Sequence, residues 1–173
     1  IGKMDQAKYF VENSDGTNYH QELEPEESAE IIINHVIKGA ELARKKGLPS
    51  VITRFILTHH GTTRVEYFYT QAVEKNEDVD VTRFTYPGPK PVSKEETLLM
   101  IADSLEAAAK SLQDPSIEDL KDMLENIVRH KINQGQFEES ALSFEELEII
   151  KDSFLRTLKS IYHGRIKYPE SQA

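Results

Sequence analysis

Residues 25–46 read PEESAEIIINHVIKGAELARKK, and the fold is decided there. Ala29, Ile32, Ile33, Val36, Ala40 and Ala43 recur at three- and four-residue spacing, the period of a helix with one buried stripe. Pro25 suits the first turn, where its missing amide proton has no intrahelical partner to lose, and Gly47 suits the end. Glu26, Glu27 and Glu30 lie at the amino end and Arg44, Lys45 and Lys46 at the carboxyl end, so the charges complement the helix dipole.

Working outward, the same period returns and the two-residue alternation of a half-buried strand does not. Residues 49–58 predict a short helix through Val51, Ile52, Phe55 and Ile56, stopping at His59-His60-Gly61. Residues 63–74 predict another through Val65, Phe68, Tyr69 and Ala72. Residues 75–92 break the pattern: Pro87, Gly88, Pro89 and Pro91 forbid a continuous helix, and the loop is longer than a simple connection needs. Ser93-Lys94-Glu95-Glu96 has capping-box spacing and opens a helix on Leu98, Ile101, Ala102, Leu105, Ala109 and Leu112, ended by Asp114-Pro115. Ser116 caps the next, through Ile117, Leu120, Leu124, Ile127 and Val128 to about Gln134, with Gly135 closing it. Ser143-Phe144-Glu145-Glu146 repeats the box before Leu147, Ile150, Phe154, Leu158, Ile161 and a stop at Gly164. Six helices without a sheet make an all-α bundle.

Composition bounds what such a bundle does. The 173 residues, 38% hydrophobic and 29% charged, suit one folded domain over 1–173. Thirty acidic against 21 basic side chains leave a net charge of −9, which argues against a DNA or RNA polymer as partner. No apolar run is long enough to span a bilayer. With no cysteine, disulfides, thiolate sites and a Cys nucleophile are excluded, so any metal must be held by His and carboxylate.

Those ligand types are present. His35 sits mid-way along the strongest helix, His59 and His60 are adjacent at a helix end, and Asp103 interrupts the apolar run Leu98-Leu99-Met100-Ile101-Ala102-Asp103-Ser104-Leu105. A carboxylate there is costly to bury without a cation or donors, and three imidazoles with one carboxylate suit iron, manganese or zinc. Each residue also has a structural account. His35 fits a satisfied core histidine, the His pair complements a helix dipole, and Asp103 fits the edge of a helical face. Spacings of 24 and 43 residues match no compact metal motif, so both accounts stand on the residues alone. Lys3, in a Gly-Lys pair at a helix start, is either a phosphate contact or a surface lysine. His20, His130 and His163 attract no role, and Arg44, Lys45 and Lys46 form a solvated helix end.

Taken together, the segments resemble a family along nearly the whole chain. Ile1-Gly2-Lys3-Met4 looks like the continuation of the His-Asp-x-Gly-Lys signature of HD-domain metal-dependent phosphohydrolases, with the His-Asp dyad falling just before Ile1. Phe10-Val11-Glu12-Asn13, Ile31-Ile32-Ile33-Asn34-His35-Val36, His59-His60-Gly61-Thr62 and Tyr67-Phe68-Tyr69 are similar to the cytoplasmic HD domains of bacterial seven-transmembrane HD proteins. So are Tyr86-Pro87-Gly88-Pro89-Lys90-Pro91, Ile101-Ala102-Asp103-Ser104-Leu105-Glu106-Ala107 and Ile161-Tyr162-His163-Gly164-Arg165-Ile166-Lys167-Tyr168-Pro169.

The resemblance implies an HD-type helical bundle that hydrolyses cyclic di-AMP to the linear dinucleotide with two divalent ions, iron or manganese. It places His35, His59, His60 and Asp103 on metal-ligand positions and Lys3 near the phosphate, the remaining ligands lying upstream. Tyr67 and Tyr69, or the loop at residues 86–91, would offer an adenine a stacking surface or else pack in the core. The parent would sit at the cytoplasmic face of a bacterial inner membrane, anchored by segments outside this sequence, with a homodimer compatible. Two rivals follow: an HD hydrolase acting on another nucleotide, and a non-catalytic nucleotide-binding sensory module.

Overall fold

A computed structural model describes residues 2–10, 19–75 and 78–163. Among them are six α-helices: α1 (Pro25–Lys45), α2 (Ser50–Thr58), α3 (Glu66–Lys75), α4 (Lys94–Ala109), α5 (Ile117–Asn133) and α6 (Phe144–His163). Short 3-10 turns at Met4–Tyr9, Tyr19–Glu22 and Val81–Phe84 and one isolated antiparallel bridge, Arg64 with Thr85, complete the described elements. The all-α expectation holds. Val11-Glu12-Asn13, the stop at Gly164 and the segment from Gly164 to Pro169 lie outside the described residues. None of the described helices is long and apolar enough to cross a membrane.

The chain divides into two compact units, Ile1–Pro91 and Val92–Ala173. In the first, α1 is the spine, and its stripe is buried as the spacing requires: Ala29, Ile33, Val36, Ala40 and Ala43 are all under 9% exposed. The alanines keep this face flat, so α2 and α3 both pack on it.

Two expectations about the first unit are corrected. The helix expected from Thr63 begins at Glu66, because residues 63–65 pair with 84–86 instead of winding. Val65 N donates to Phe84 O at 2.8 Å, and Tyr86 N donates to Thr63 O at 2.9 Å. The loop expected between residues 75 and 92 holds the turn Val81–Phe84, opened by Asp80, whose side chain accepts from the Thr82 amide at 2.9 Å. That turn aims Phe84, fully buried, at Ala29, Phe68 and Ala72.

In the second unit both expected capping boxes form. Glu96 N donates to Ser93 Oγ at 3.2 Å and Glu146 N to Ser143 Oγ at 3.2 Å, with each glutamate returning a bond to the serine amide. Ser116 and Asp119 make a third. Gly135, at φ 66°, turns the chain out of α5 in a conformation that only glycine adopts freely. The core joins Ile101, Leu105 and Ala109 of α4, Leu120, Leu124 and Val128 of α5, and Leu147 and Leu158 of α6.

Candidate metal centre

His35 is carried by α1 on the face that also buries Val36, and is 7% exposed. Its Nδ1 donates to the carbonyl of Ile32, three residues earlier in the same helix. His59, at the C-cap of α2, repeats the device: its Nδ1 donates to Ile56 O at 2.7 Å. A carbonyl only accepts, so in both rings Nδ1 carries the proton and Nε2 keeps a lone pair. The two Nε2 atoms then meet at 3.1 Å.

That meeting suits a cation. Two lone pairs face each other unless an extra proton enters between them. Burial above all, with the neighbouring charges of His59 and Lys3, holds the His35 pKa down from 6.5 to about 4, against the opposing pull of the Ile32 carbonyl. His35 is therefore neutral at pH 7. A metal ion satisfies both nitrogens at once: bonds of about 2.1 Å at an angle near ~95° place two ligand nitrogens about 3.1 Å apart.

His60 completes the group. Ligand atoms of His35, His59 and His60 all lie within 4.8 Å of one another, compared with about 4.2 Å for two nitrogens on opposite sides of one ion. The three ring nitrogens are therefore close enough together to share one ion. The local chain explains why two adjacent histidines both turn inward. α2 ends at Thr58, Gly61 takes φ 55°, and its amide donates to Thr58 O at 2.9 Å, folding the chain back beneath the pair. Thr63 then donates to His60 O twice, from N at 3.1 Å and from Oγ1 at 2.7 Å. The negative end of the α2 dipole lies at these residues and favours a cation there.

Lys3 approaches from the chain start. Its Nζ lies 5.2 Å from the centre of the Phe10 ring, and Phe10 sets its edge on His35 at 5.7 Å. Gly2 allows this approach, since a Cβ there would come within 1.8 Å of His35 O and 2.8 Å of Gly39 N. Asp103 belongs to the second unit: it is half-buried on α4, and its charge opposes the downward push that burial exerts on the Lys131 ammonium.

The expected stacking residues have other neighbours. Tyr67 is 64% exposed and lines an open cavity of about 350 Å³ with His20, Gln71 and Lys75. Tyr69 packs under the Arg64 guanidinium, 3.9 Å from its ring centre, and against Phe84. His20 accepts its structural place by bonding Tyr9 O at 2.9 Å, and His130 is exposed. Besides Phe10, the aromatic ring at the histidines is Tyr86, 7% exposed and stacked on His60 with centroids 4.3 Å apart. Its sequence signal was weak: one aromatic at the edge of a Pro-rich loop, read as a ligand surface.

The family model of the HD domain matches residues 2–108, which carry Lys3, the three histidines and Asp103. The chain belongs to the HD-domain family. It is 40% identical over 173 residues to the cyclic-di-AMP phosphodiesterase PgpH of Listeria monocytogenes and 40% identical over 172 residues to that of Bacillus subtilis, in each case across 99% of this chain and 24% of the relative. The chain thus spans about a quarter of the length of the curated relatives it matches. Its fold matches the crystal structure of the L. monocytogenes PgpH HD domain in complex with cyclic-di-AMP at a TM-score of 0.91 and 40% identity, covering 96% of this chain and 78% of that one. A second structure of that HD domain matches at a TM-score of 0.88. HD domains bind divalent metals, and among the described residues of this one the three histidines form a group able to hold an ion.

Proposed function

We propose that this HD domain, over residues 1–173, hydrolyses cyclic di-AMP to the linear dinucleotide with iron or manganese ions, and that His35, His59 and His60 are metal ligands. The observation that carries the metal part is the 3.1 Å approach of two imidazole Nε2 atoms whose protons are committed to helix carbonyls. The substrate part is supported by 40% identity across the chain to two cyclic-di-AMP phosphodiesterases and by the fold match to an HD domain in complex with that dinucleotide.

A divalent ion at such a site supplies Lewis-acid charge to a phosphodiester and lowers the pKa of water. The chain's own residues do the rest. The Ile32 and Ile56 carbonyls hold the two imidazoles in the tautomer that offers Nε2. Lys3 brings a compact ammonium to the neighbourhood of His35, suited to a phosphate oxygen. In a chain of net charge −9, these local cations are what can draw an anionic dinucleotide. We place the domain at the cytoplasmic face of a bacterial membrane protein, on its resemblance to seven-transmembrane HD proteins.

The test is hydrolysis by the native protein with Mn²⁺ or Fe²⁺, using cyclic di-AMP, cyclic di-GMP and a nucleotide monophosphate in parallel. Linear di-adenylate as the preferred product, abolished by His59→Ala, is expected. Preferential cleavage of another nucleotide, or binding of cyclic di-AMP without turnover, refutes the proposal in favour of a different hydrolase or a sensory module.

A further inference from the structure

His35 and His59 each have a carbonyl on Nδ1 that sets the direction of the opposite nitrogen. The His60 ring is braced by stacking. It lies between two flat neighbours: Tyr86 on one side, with centroids 4.3 Å apart and planes 20° apart, and His59 on the other, at 4.1 Å and 39°. A histidine χ2 is a broad, nearly two-fold torsion with little preference of its own, so an imidazole held to one plane needs an outside restraint. Turning His60 about χ2 would drive its edge into both neighbours, and Tyr86 is the one that no metal ligation would move.

Tyr86 is well placed to act as a wall. Its amide donates to Thr63 O at 2.9 Å, while Thr63 donates twice to His60 O, so ring and backbone of His60 are braced by one small network. The Tyr86 side chain is packed with Ile33 and Val36 of α1, the helix that carries His35. It also faces the His35 ring edge-on at 6.2 Å. A divalent ion bound to His60 withdraws electrons from the imidazole, and an electron-rich phenol face against that imidazole favours the metal-bound form.

We propose that Tyr86 is a positioning residue for the metal centre: its ring, stacked on His60, fixes the plane from which that histidine ligates the ion. The inference rests on the reading of the three histidines as metal ligands and adds a residue that acts through His60.

The experiment measures Mn²⁺ affinity of the 173-residue chain by calorimetry for wild type, Tyr86→Phe, Tyr86→Leu and Ile33→Ala. Tyr86→Phe keeps the flat ring and should bind within about twofold of wild type. Tyr86→Leu removes it and should bind about tenfold or more weakly, the range seen when a partner that orients a metal-bound histidine is lost. Ile33→Ala cuts a cavity beside Tyr86 but keeps both rings of the stack and should weaken binding less than Tyr86→Leu does.

Wild-type affinity in a folded Tyr86→Leu chain overturns the inference. So does equal loss in Ile33→Ala, or equal loss in Tyr86→Phe. Should Tyr86→Leu fail to fold by circular dichroism, the wild type decides. Its His60 ring protons must show the upfield shift of a stacked imidazole in NMR spectra and keep it on titration with diamagnetic Zn²⁺; an unshifted signal overturns the inference. A wild-type chain that binds no metal is a separate outcome, refuting the metal centre itself.

Discussion

Acid should unfold the metal-free first unit through His35. The ring is 7% exposed, and its pKa falls from 6.5 to about 4 on folding, chiefly because burial disfavours the charged imidazolium. Between those two values the unfolded chain binds a proton that the folded chain refuses, so stability decreases as pH falls through this window. Above about 6.5 there is no effect, and below about 4 it is complete. Integrating between the two pKa values gives about 2.5 kcal/mol lost at pH 4.5 and a limit of roughly 3 kcal/mol. Replacing His35 with Leu removes the titrating group while keeping an apolar side chain in the helix. Urea unfolding at pH 7.0 and pH 4.5, with a chelator present, then compares the pH sensitivity of the two chains. Near-UV circular dichroism is a suitable probe, since the protein has no tryptophan and five of its seven tyrosines (Tyr9, Tyr19, Tyr67, Tyr69 and Tyr86) lie in residues 1–91. Wild type should lose about 2 to 3 kcal/mol more than His35→Leu over this interval. Equal losses would refute the reasoning, because they would mean that His35 takes up its proton as readily in the folded chain as in the unfolded one.

Other perturbations have equally definite outcomes. Mn²⁺ at about 100 times its dissociation constant should stabilise the chain by about 2.7 kcal/mol, or roughly 5–10 °C in Tm, with no shift in His59→Ala; differential scanning fluorimetry measures it. Gly2→Ala puts a Cβ 1.8 Å from His35 O, so the Gly-Lys segment must leave α1. Hydrolysis should fall well below wild type, and unchanged kinetics would show that the close contact does not matter. The Glu146 carboxyl is held down to about 2 by Lys94 and by Ser143, so its contribution is present above the usual 4.5 and disappears as pH falls toward 2. Thermal melts at pH 4.5 and pH 2.5 should therefore differ less in Glu146→Gln than in wild type.

The helices were readable because their information is local. Ala29, Ile33, Val36, Ala40 and Ala43 mark their face by spacing alone, and Ser93, Ser116 and Ser143 each announce a start within four residues. What failed was non-local. Residues 63–65 have helical periodicity, yet they pair with 84–86, some twenty residues away, and no pattern within 63–74 encodes that partner. The loop was judged by its prolines, which hid two inward aromatics, Phe84 and Tyr86. In the candidate site, residue type pointed to His35, His59 and His60, but only folding shows that a ring nitrogen of each converges with the others. Spacings of 24 residues and one are equally consistent with three unrelated histidines. Tyr67 and Tyr69 drew attention as an aromatic run, whereas the rings seen against the histidines, Phe10 and Tyr86, stand outside it in sequence.

Both Nδ1 braces come from carbonyls three positions earlier in the ligand's own helix, so the direction of each lone pair is a property of helical phase. A one-residue insertion between Pro25 and Ile32 would leave the His35 brace intact but turn the ring about 100° from the stripe that seats it, since each residue advances the helix by that angle. The same insertion near Asp78, outside any helix, would leave both rings aimed as they are. Length variation in this domain should therefore be absent from the turns leading to His35 and His59 and tolerated in the segment that follows α3.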